Sequence, residues 1–172
     1  MNDTLSRGEL QNLPIDSIFL EMQALKLAHD ATVTDFAATA LICIYGLVEP
    51  SAVNLTPFKP TKKHLASLGR LIRKWSSIFS RFVRDDKDRT HILHGIEKAS
   101  LHSDHLFLAF FRFTLQLFYD NQVLTEDVIL DWEEQRRASK SSESLQLLES
   151  ASEFLDWLKD AESEDDSDED DD

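Results

Sequence analysis

The sequence predicts an all-α protein of about seven to eight helices, an interpretation that depends on three observations. Its 172 residues include only four Gly and four Pro, so residues that interrupt regular structure are scarce. No stretch of four or more residues alternates β-branched with polar side chains, as a half-buried strand does. Apolar residues instead recur at spacings of three and four, the period of an amphipathic helix. With eleven Phe and 42% apolar residues, the chain can bury one substantial core.

The first helix is predicted to begin at Ile15, directly after Pro14, and residues 1–14 are set apart as a leader. Asp16 is the expected N-cap, because a carboxylate there accepts hydrogen bonds from free backbone N–H groups. The apolar stripe of this helix contains Ile15, Ile18, Phe19, Met22 and Leu25.

A second helix is predicted from Thr34 and Asp35 through Gly46. It is apolar on nearly every side, so we expect it at the centre of the fold. Three prolines follow and indicate a linker, because proline cannot continue a helix. They are Pro50, Pro57 and Pro60.

Thr61 opens the third and clearest helix, which has one apolar and one basic side. The apolar side contains Leu65, Leu68, Ile72, Trp75, Phe79 and Phe82. The other side, called the basic stripe below and expected to lie in water, contains Arg70, Arg73, Lys74, Arg81 and Arg84. This amphipathic pattern predicts that one side packs on the core.

Four more helices are predicted in the second half of the chain. Asp88 is the expected cap of a short one, and an aromatic-rich one runs from about Ser103 to Tyr119. Thr125 opens the next, its hydroxyl acting as the cap and the following acids meeting the positive end of the helix dipole. A polar break at 138–142 precedes the last helix. This succession favours stacked helical hairpins or a bundle.

Charge is segregated along the chain. The net charge is −14, yet residues 162–172 hold nine carboxylates and no base, which leaves only −5 for the rest. Residues 59–89 hold ten of the 18 Lys and Arg against three acids. The acidic run has no apolar residue and is expected to be a disordered tail. A pI near 4.7 makes direct nucleic-acid binding unlikely as the main role, because phosphate contacts need positive surface.

Several classes of protein are disfavoured by what the sequence lacks. Cys43 is the single cysteine, so no disulfide framework exists and a reducing compartment is the default. The longest apolar run, residues 36–48, is shorter than the roughly 20 residues of a membrane span. The first residues lack the charged and apolar regions of a secretory signal. We therefore expect a cytoplasmic protein with no membrane partner.

Reactive chemistry is also missing. The glycines are isolated, so no phosphate-binding loop is present. Two histidine pairs, 91/94 and 102/105, have helical spacing, but a metal site needs at least one further ligand. We expect no metal, no cofactor and no covalent catalysis, so that this chain is not an enzyme in that sense. Surfaces that bind other proteins remain.

Two segments near the C-terminus resemble a known family. Residues 117–120 and 124–132, Leu-Phe-Tyr-Asp and Leu-Thr-Glu-Asp-Val-Ile-Leu-Asp-Trp, resemble the first aromatic-acidic box of the W2 domain. Residues 153–162, Glu-Phe-Leu-Asp-Trp-Leu-Lys-Asp-Ala-Glu, look like the second. The W2 domain is shared by initiation factors 4 gamma and 5, regulatory mimics of factor 5, and the epsilon subunit of eukaryotic translation initiation factor 2B. The resemblance implies a HEAT-like stack of antiparallel helical hairpins over residues 15–161.

The first predicted helix points to one branch of that family. Residues 19–26, Phe-Leu-Glu-Met-Gln-Ala-Leu-Lys, are similar to the helix that opens the catalytic region of epsilon-type members. The resemblance implies that Glu21 is needed for nucleotide exchange. The nucleotidyltransferase-like and hexapeptide-repeat regions of such subunits are missing, so the chain looks like an excised catalytic module.

The function implied is a guanine nucleotide exchange factor that promotes GDP release from initiation factor 2. Its partners would be the gamma GTPase subunit, a lysine-rich beta-subunit segment and, through the missing regions, other subunits of factor 2B. The implied partner-binding residues are Tyr119, Asp120, Glu126, Asp127, Trp132, Glu153, Phe154, Asp156, Trp157 and Glu162. A non-catalytic adapter and a generic helical scaffold stay open. The basic stripe could meet an acidic partner, RNA or the chain's own tail.

Overall fold

The computed structural model describes residues 1–48, 59–102 and 107–165, with side chains as far as Asp160. These residues form eight α-helices and one short 3-10 helix at Leu108–Phe110, without a strand. The all-α prediction is therefore confirmed. The helices are α1 Asn2–Leu10, α2 Ile15–Ala28, α3 Val33–Val48, α4 Lys62–Ser80, α5 Asp86–Ser100, α6 Phe111–Asp120, α7 Glu126–Ser139 and α8 Ser142–Asp165.

Helix α3 is the central element, as its apolar composition predicts. It packs most extensively on α5, and its fully buried side chains include Phe36, Leu41 and Tyr45. Gly95 permits this close approach, because a Cβ added there would lie 2.5 Å from the Ala37 Cβ. The absence of a side chain at this position thus sets the distance between the two helices.

Helices that follow one another in the sequence also pack together. Helix α1 contacts α2, α3 contacts α4, and α7 contacts α8. Only two residues connect α7 to α8, so the chain must reverse there and the two helices form a hairpin. Helix α6 packs against α4, α5 and α8, so these helices share one core.

Thr61 caps α4 as predicted, whereas two other caps differ from the prediction. The His64 backbone N–H donates to the Thr61 hydroxyl at 3.3 Å, and the His64 ring accepts from the Thr61 N–H in return. Helix α5 is capped by Asp85, which accepts from the Asp88 N–H at 3.0 Å. Helix α3 is capped by Thr32, two residues before the predicted start. Short polar side chains cluster at both places, so residue type alone does not select the cap.

The prediction of Asp16 as a cap was wrong, and the prediction of Thr125 holds for its position but not for its hydrogen bond. Helix α2 begins at Ile15, so Asp16 lies inside its first turn and Pro14 stands before it. Thr125 does stand at the N-cap of α7, but its hydroxyl makes no capping hydrogen bond with any described residue. The acids that follow Thr125 still lie at the positive end of the helix dipole.

Residues 1–14 are not a leader outside the fold, because they contain α1. Leu5 is buried in the core, and Gly8 lies so close to Trp75 that an added Cβ would meet its ring at 2.8 Å. Helix α1 contributes only one buried leucine, so its apolar pattern is too short to signal a helix. Its contacts with α2 and α3 decide its structure instead.

Four residues of the basic stripe are exposed to water as predicted, and the stripe also forms ion pairs with neighbouring helices. Lys74 pairs with Glu9 of α1 at 2.9 Å, and Arg70 pairs with the same carboxylate. Arg81 pairs with Asp16 of α2 at 2.5 Å and lies 4.9 Å above the Phe19 ring. The stripe therefore attaches the first two helices to α4.

Helix α8 continues to Asp165, so residues 162–165, predicted as part of a disordered tail, are helical. Glutamate is a good helix former, which allows the helix to continue past the last buried residue, Leu158. The remaining acids, 166–172, and the proline linker at 49–58 lie outside the described residues. In the described part of the chain, no helix has the length and apolar character needed to cross a membrane.

Candidate partner-binding surface

The structure brings the two predicted aromatic-acidic boxes together through three rings. Tyr119 lies in the last turn of α6, while Phe154 and Trp157 lie one helical turn apart on α8. The Tyr119 ring centroid lies 6.1 Å from that of Phe154 and 6.2 Å from that of Trp157. Phe154 and Trp157 stack at 5.8 Å. We call these three residues the aromatic cluster.

The rings of the aromatic cluster differ in exposure. Phe154 is only 4% exposed and anchors α8 to the core, whereas Trp157 is 49% exposed. A large aromatic ring that is half in water and supported by two other rings is a suitable anchor for a partner, since rigid aromatic side chains often dominate binding energy at interfaces. Trp157 is therefore the most exposed ring of the aromatic cluster.

A cavity of about 250 Å³ lies beside Trp157. Its walls are Arg112, Gln116, Glu153, Phe154 and Trp157. Arg112 of α6 pairs with Glu153 of α8 and also lies 4.5 Å from the centre of the Phe113 ring. The cavity thus presents an aromatic wall with one carboxylate that is already paired.

A second groove of about 660 Å³ lies on the other side of Tyr119. It follows the turn between α6 and α7, where Gln122 has a left-handed backbone with φ of 58°. The Arg89 guanidinium fixes this turn by donating to the backbone oxygens of Gln122 and Val123, at 3.1 and 2.7 Å. Asp120 and Glu126 line the groove. Because Tyr119 lines the groove and also belongs to the aromatic cluster, the two regions are adjacent.

The other predicted acids are placed less centrally. Asp127 and Asp156 are exposed on α7 and α8, and Glu153 is exposed at the rim of the cavity. Glu162 lies in α8, but its side chain is outside the described part of the chain. Exposed carboxylates therefore flank the aromatic cluster on both helices and make its surroundings acidic.

Trp132 does not belong to this surface, and its prediction as a partner-binding residue was wrong. It is 1% exposed, packs on Phe111, and donates from Nε1 to Glu97 at 2.7 Å. Arg136 pairs with the other oxygen of Glu97 at 3.0 Å. Burial raises the pKa of Glu97 despite these donors. Trp132 follows Val128 and Ile129 at helical spacing, and this shared face was the signal for a core position.

Glu21, the predicted catalytic residue, lies on α2 and is already engaged by α1. The Thr4 hydroxyl donates to Glu21 Oε1 at 2.7 Å. The Arg7 guanidinium contacts both carboxylate oxygens, at 2.6 and 2.8 Å. The hydrogen bond from Thr4, assisted by Arg7, holds the pKa of Glu21 below its ordinary value. These two partners were missed because residues 1–14 were read as a leader.

Two exposed leucines accompany Glu21 on α2. Leu20 is 63% exposed and Leu27 is 72% exposed, and their spacing of seven places them on one side of the helix. Neither fits the buried stripe that contains Ile18 and Met22. The sequence signal for this patch was the pair of leucines outside that stripe.

The described residues contain no group of His, Cys, Asp and Glu able to hold a metal ion. Cys43 is buried, and burial raises the pKa of its thiol, which makes the reactive thiolate scarcer. The arrangement is chemically suited to binding, with an aromatic anchor among carboxylates and a fixed carboxylate beside exposed leucines.

Comparison with known proteins gives relatives for almost the whole chain. Residues 88–168 match the family model described as W2, eIF4-gamma/eIF5/eIF2-epsilon. Translation initiation factor eIF2B subunit epsilon of Dictyostelium discoideum is 30% identical over 168 residues, which is 96% of this chain and 23% of that protein. The eIF5-mimic protein 1 of Mus musculus is 24% identical over 157 residues, 91% of this chain and 35% of that protein. The chain thus spans only 23% and 35% of the length of these two relatives.

Proposed function

We propose, from the match of residues 88–168 to the W2 family model, that the protein acts in translation initiation by binding initiation factor 2. The observation that carries the proposal is the aromatic cluster, in which a half-exposed Trp157 stands among exposed carboxylates of α6, α7 and α8. This surface lies within the family match and joins both aromatic-acidic boxes.

The surface is suited to a lysine-rich segment, the partner that the resemblance implies on the beta subunit. A lysine can place its ammonium group over the exposed face of the Trp157 ring, with its methylenes along the same ring. Exposed carboxylates such as Asp120 and Asp156 would attract further lysines and steer the segment during approach. The carboxylates would then raise the association rate and the selectivity for lysine, while Trp157 would supply the desolvated anchor.

We further propose that the chain promotes GDP release from the gamma subunit, without forming or breaking covalent bonds. The support is the similarity to the epsilon subunit of factor 2B, which extends through α2 and Glu21, outside the family match. An exchange factor and a nucleotide weaken each other's binding to the GTPase, and linkage makes that effect reciprocal. The Glu21 carboxylate would compete for the magnesium ion or for a phosphate-binding lysine.

A non-catalytic adapter is the second candidate. The observation that favours it is the similarity to eIF5-mimic proteins over 91% of the chain. In that case the aromatic cluster would bind the same factor, and Glu21 would only hold α1 against α2 through Thr4 and Arg7. The two candidates therefore differ at Glu21 and agree at Trp157.

One assay separates these functions. Purified initiation factor 2 is loaded with fluorescent GDP, and the release rate and the equilibrium affinity for this chain are measured together. We expect faster release with the parent chain, normal affinity but slow release with Glu21→Gln, and weak binding with Trp157→Ala. Binding without release would leave the adapter, and the absence of both would contradict the whole proposal.

A further inference from the structure

We propose that Ser139, the last residue of α7, is a phosphorylation site for a protein kinase that selects arginines before its acceptor serine. The sequence there is Arg136-Arg137-Ala138-Ser139. Kinases distinguish their substrates by charge pattern, and in the class meant here acidic side chains pair with arginines two and three positions before the serine. The inference concerns modification of the chain and does not depend on the proposed exchange function.

The pattern of two basic residues, any residue and then serine occurs twice in the chain, and the structure separates the two copies. The other copy is Arg73-Lys74-Trp75-Ser76, in the middle of α4. Ser76 is only 8% exposed, and its hydroxyl donates to the Arg73 backbone oxygen at 3.1 Å. A kinase can reach Ser76 only if α4 leaves the core, so we expect no phosphate there in the folded chain.

Ser139 lies where a kinase can reach it. It is exposed, and the chain leaves the helix directly after it, since Lys140 has a left-handed backbone with φ of 50°. The last turn of a helix opens at a low cost in free energy, so the residues before Ser139 can extend into an active site. Ser141 is less suited, because its hydroxyl caps α8 by accepting from the Ser144 N–H at 3.1 Å.

The arginine next to Ala138 is also accessible. The Arg137 side chain is 63% exposed and pairs with Glu133 at 2.6 Å. An ion pair so open to water is weak, so a carboxylate of the kinase can replace Glu133. Glu133 keeps Lys159 of α8 as a partner at 2.7 Å. The recognition of Arg137 therefore leaves no buried carboxylate without a cation.

The modification uses ATP as the phosphoryl donor. The Ser139 Oγ forms a bond to the γ-phosphorus of ATP, and its proton passes to the catalytic carboxylate of the kinase. The bond from that phosphorus to the oxygen bridging the β- and γ-phosphates breaks, and ADP leaves. The phosphoserine then places nearly two negative charges at the negative end of the α7 dipole.

Arg136 connects this phosphate to the core. It lies three positions before Ser139, so the two side chains are neighbours on the helix surface. Arg136 donates to the buried Glu97 of α5 at 3.0 Å, and a cavity of about 210 Å³ beside it gives the guanidinium space to turn. The phosphate would therefore compete with Glu97 for Arg136 and weaken the attachment of α7 to α5.

Phosphorylation of the full chain in vitro tests the site. The chain is incubated with ATP and the catalytic subunit of cyclic-AMP-dependent protein kinase, and phosphates are counted and located by mass spectrometry. We expect one phosphate per parent chain, at Ser139, and none in Ser139→Ala. Arg137→Gln should lower the initial rate about tenfold. Unfolding midpoints equal to that of the parent show that both variants are folded.

Two peptides provide the matched control for the role of the fold. They contain residues 70–80 and 133–143 and are too short to hold a stable helix. Both should be phosphorylated, although only the second serine is modified in the folded chain. No phosphate in the folded chain, equal incorporation into Ser139→Ala, or phosphate at Ser76 of the folded chain would each overturn the assignment of Ser139.

Thermal unfolding of the phosphorylated chain tests the competition for Arg136. We expect the phosphate to lower the unfolding midpoint by about 2–4 °C in the parent. In Glu97→Gln the phosphate should no longer lower it, because no carboxylate competes for the guanidinium. A drop of equal size in both chains would overturn the competition and assign the effect to the helix dipole.

Discussion

At the scale of single residues, Trp132 and Trp157 have opposite environments, although each belongs to an aromatic-acidic box. Trp132 is buried and bonded to Glu97, while Trp157 is supported by Tyr119 and exposed. Sequence pattern predicted both as contact residues, since an aromatic beside acids has the same appearance in either position. Only the packing of neighbouring helices decides which tryptophan is buried and which is exposed.

Alanine substitution should separate the two tryptophans. Trp132→Ala leaves a large cavity and removes one of the donors to the buried Glu97 carboxylate, so we expect a loss of about 3–5 kcal/mol in the free energy of unfolding. Trp157→Ala should change that free energy by less than about 1 kcal/mol and weaken binding to initiation factor 2 at least tenfold. Urea unfolding and a binding titration on both variants give the comparison. Equal losses in the free energy of unfolding would contradict the assignment of Trp132 to the core and of Trp157 to the surface.

Arg112 should act as an internal competitor at the cavity beside Trp157. It pairs with Glu153, so an incoming lysine must share that carboxylate. We expect Arg112→Gln to raise the affinity for a lysine-rich peptide about twofold to fivefold, the size of an exposed ion pair.

The control for Arg112 is Glu153→Gln, which should weaken the same binding. In the double variant, the effect of Arg112→Gln should disappear, because no carboxylate remains to be freed. Isothermal titration with the four proteins measures the coupling. A gain in affinity from Arg112→Gln that persists without Glu153 would contradict competition for that carboxylate and indicate a general effect of the lost positive charge.

At the scale of helices, the sequence predicted well what local pattern controls. The amphipathic α4 and the apolar α3 follow directly from spacing and composition, and Thr61 was identified as a cap. Helix α1 was missed because long-range contacts hold it, such as that between Glu9 and Lys74. The sequence predicts Tyr119, Phe154 and Trp157 as binding residues, but only tertiary packing brings Tyr119 against α8.

Two glycines in helices should respond oppositely to alanine. At Gly95 an added Cβ would meet the Ala37 Cβ at 2.5 Å and the Thr34 carbonyl oxygen at 3.0 Å. Backbone cannot easily yield, so we expect Gly95→Ala to destabilise the protein by about 1–3 kcal/mol. At Gly46 in α3 an added Cβ would meet no described residue within 4 Å, so Gly46→Ala should stabilise by about 0.5–1 kcal/mol through helix propensity. Urea unfolding measures both, and a stabilising Gly95→Ala would contradict the tight packing of α3 on α5.

At the scale of the whole molecule, the structure changes the meaning of the charge pattern. Four members of the basic stripe pair with carboxylates of α1, α2 or α5, namely Arg70, Lys74, Arg81 and Arg84. Much of the positive charge of this segment is therefore already paired with carboxylates of the same chain. Asp120, Asp127 and Asp156 are exposed on α6, α7 and α8, and residues 162–172 add nine further acids.

This distribution predicts how fast a lysine-rich partner associates. Removing residues 162–172 takes away nine negative charges, so we expect association with initiation factor 2 to slow about tenfold at low salt. The difference should shrink as ionic strength rises, because the Debye length falls to about 8 Å at physiological salt. Stopped-flow measurements between low and high salt test this. The matched control is Trp157→Ala, which keeps the tail and should mainly raise the dissociation rate. An unchanged association rate for the shortened chain at low salt would mean that the acids near the aromatic cluster steer the partner without help from the tail.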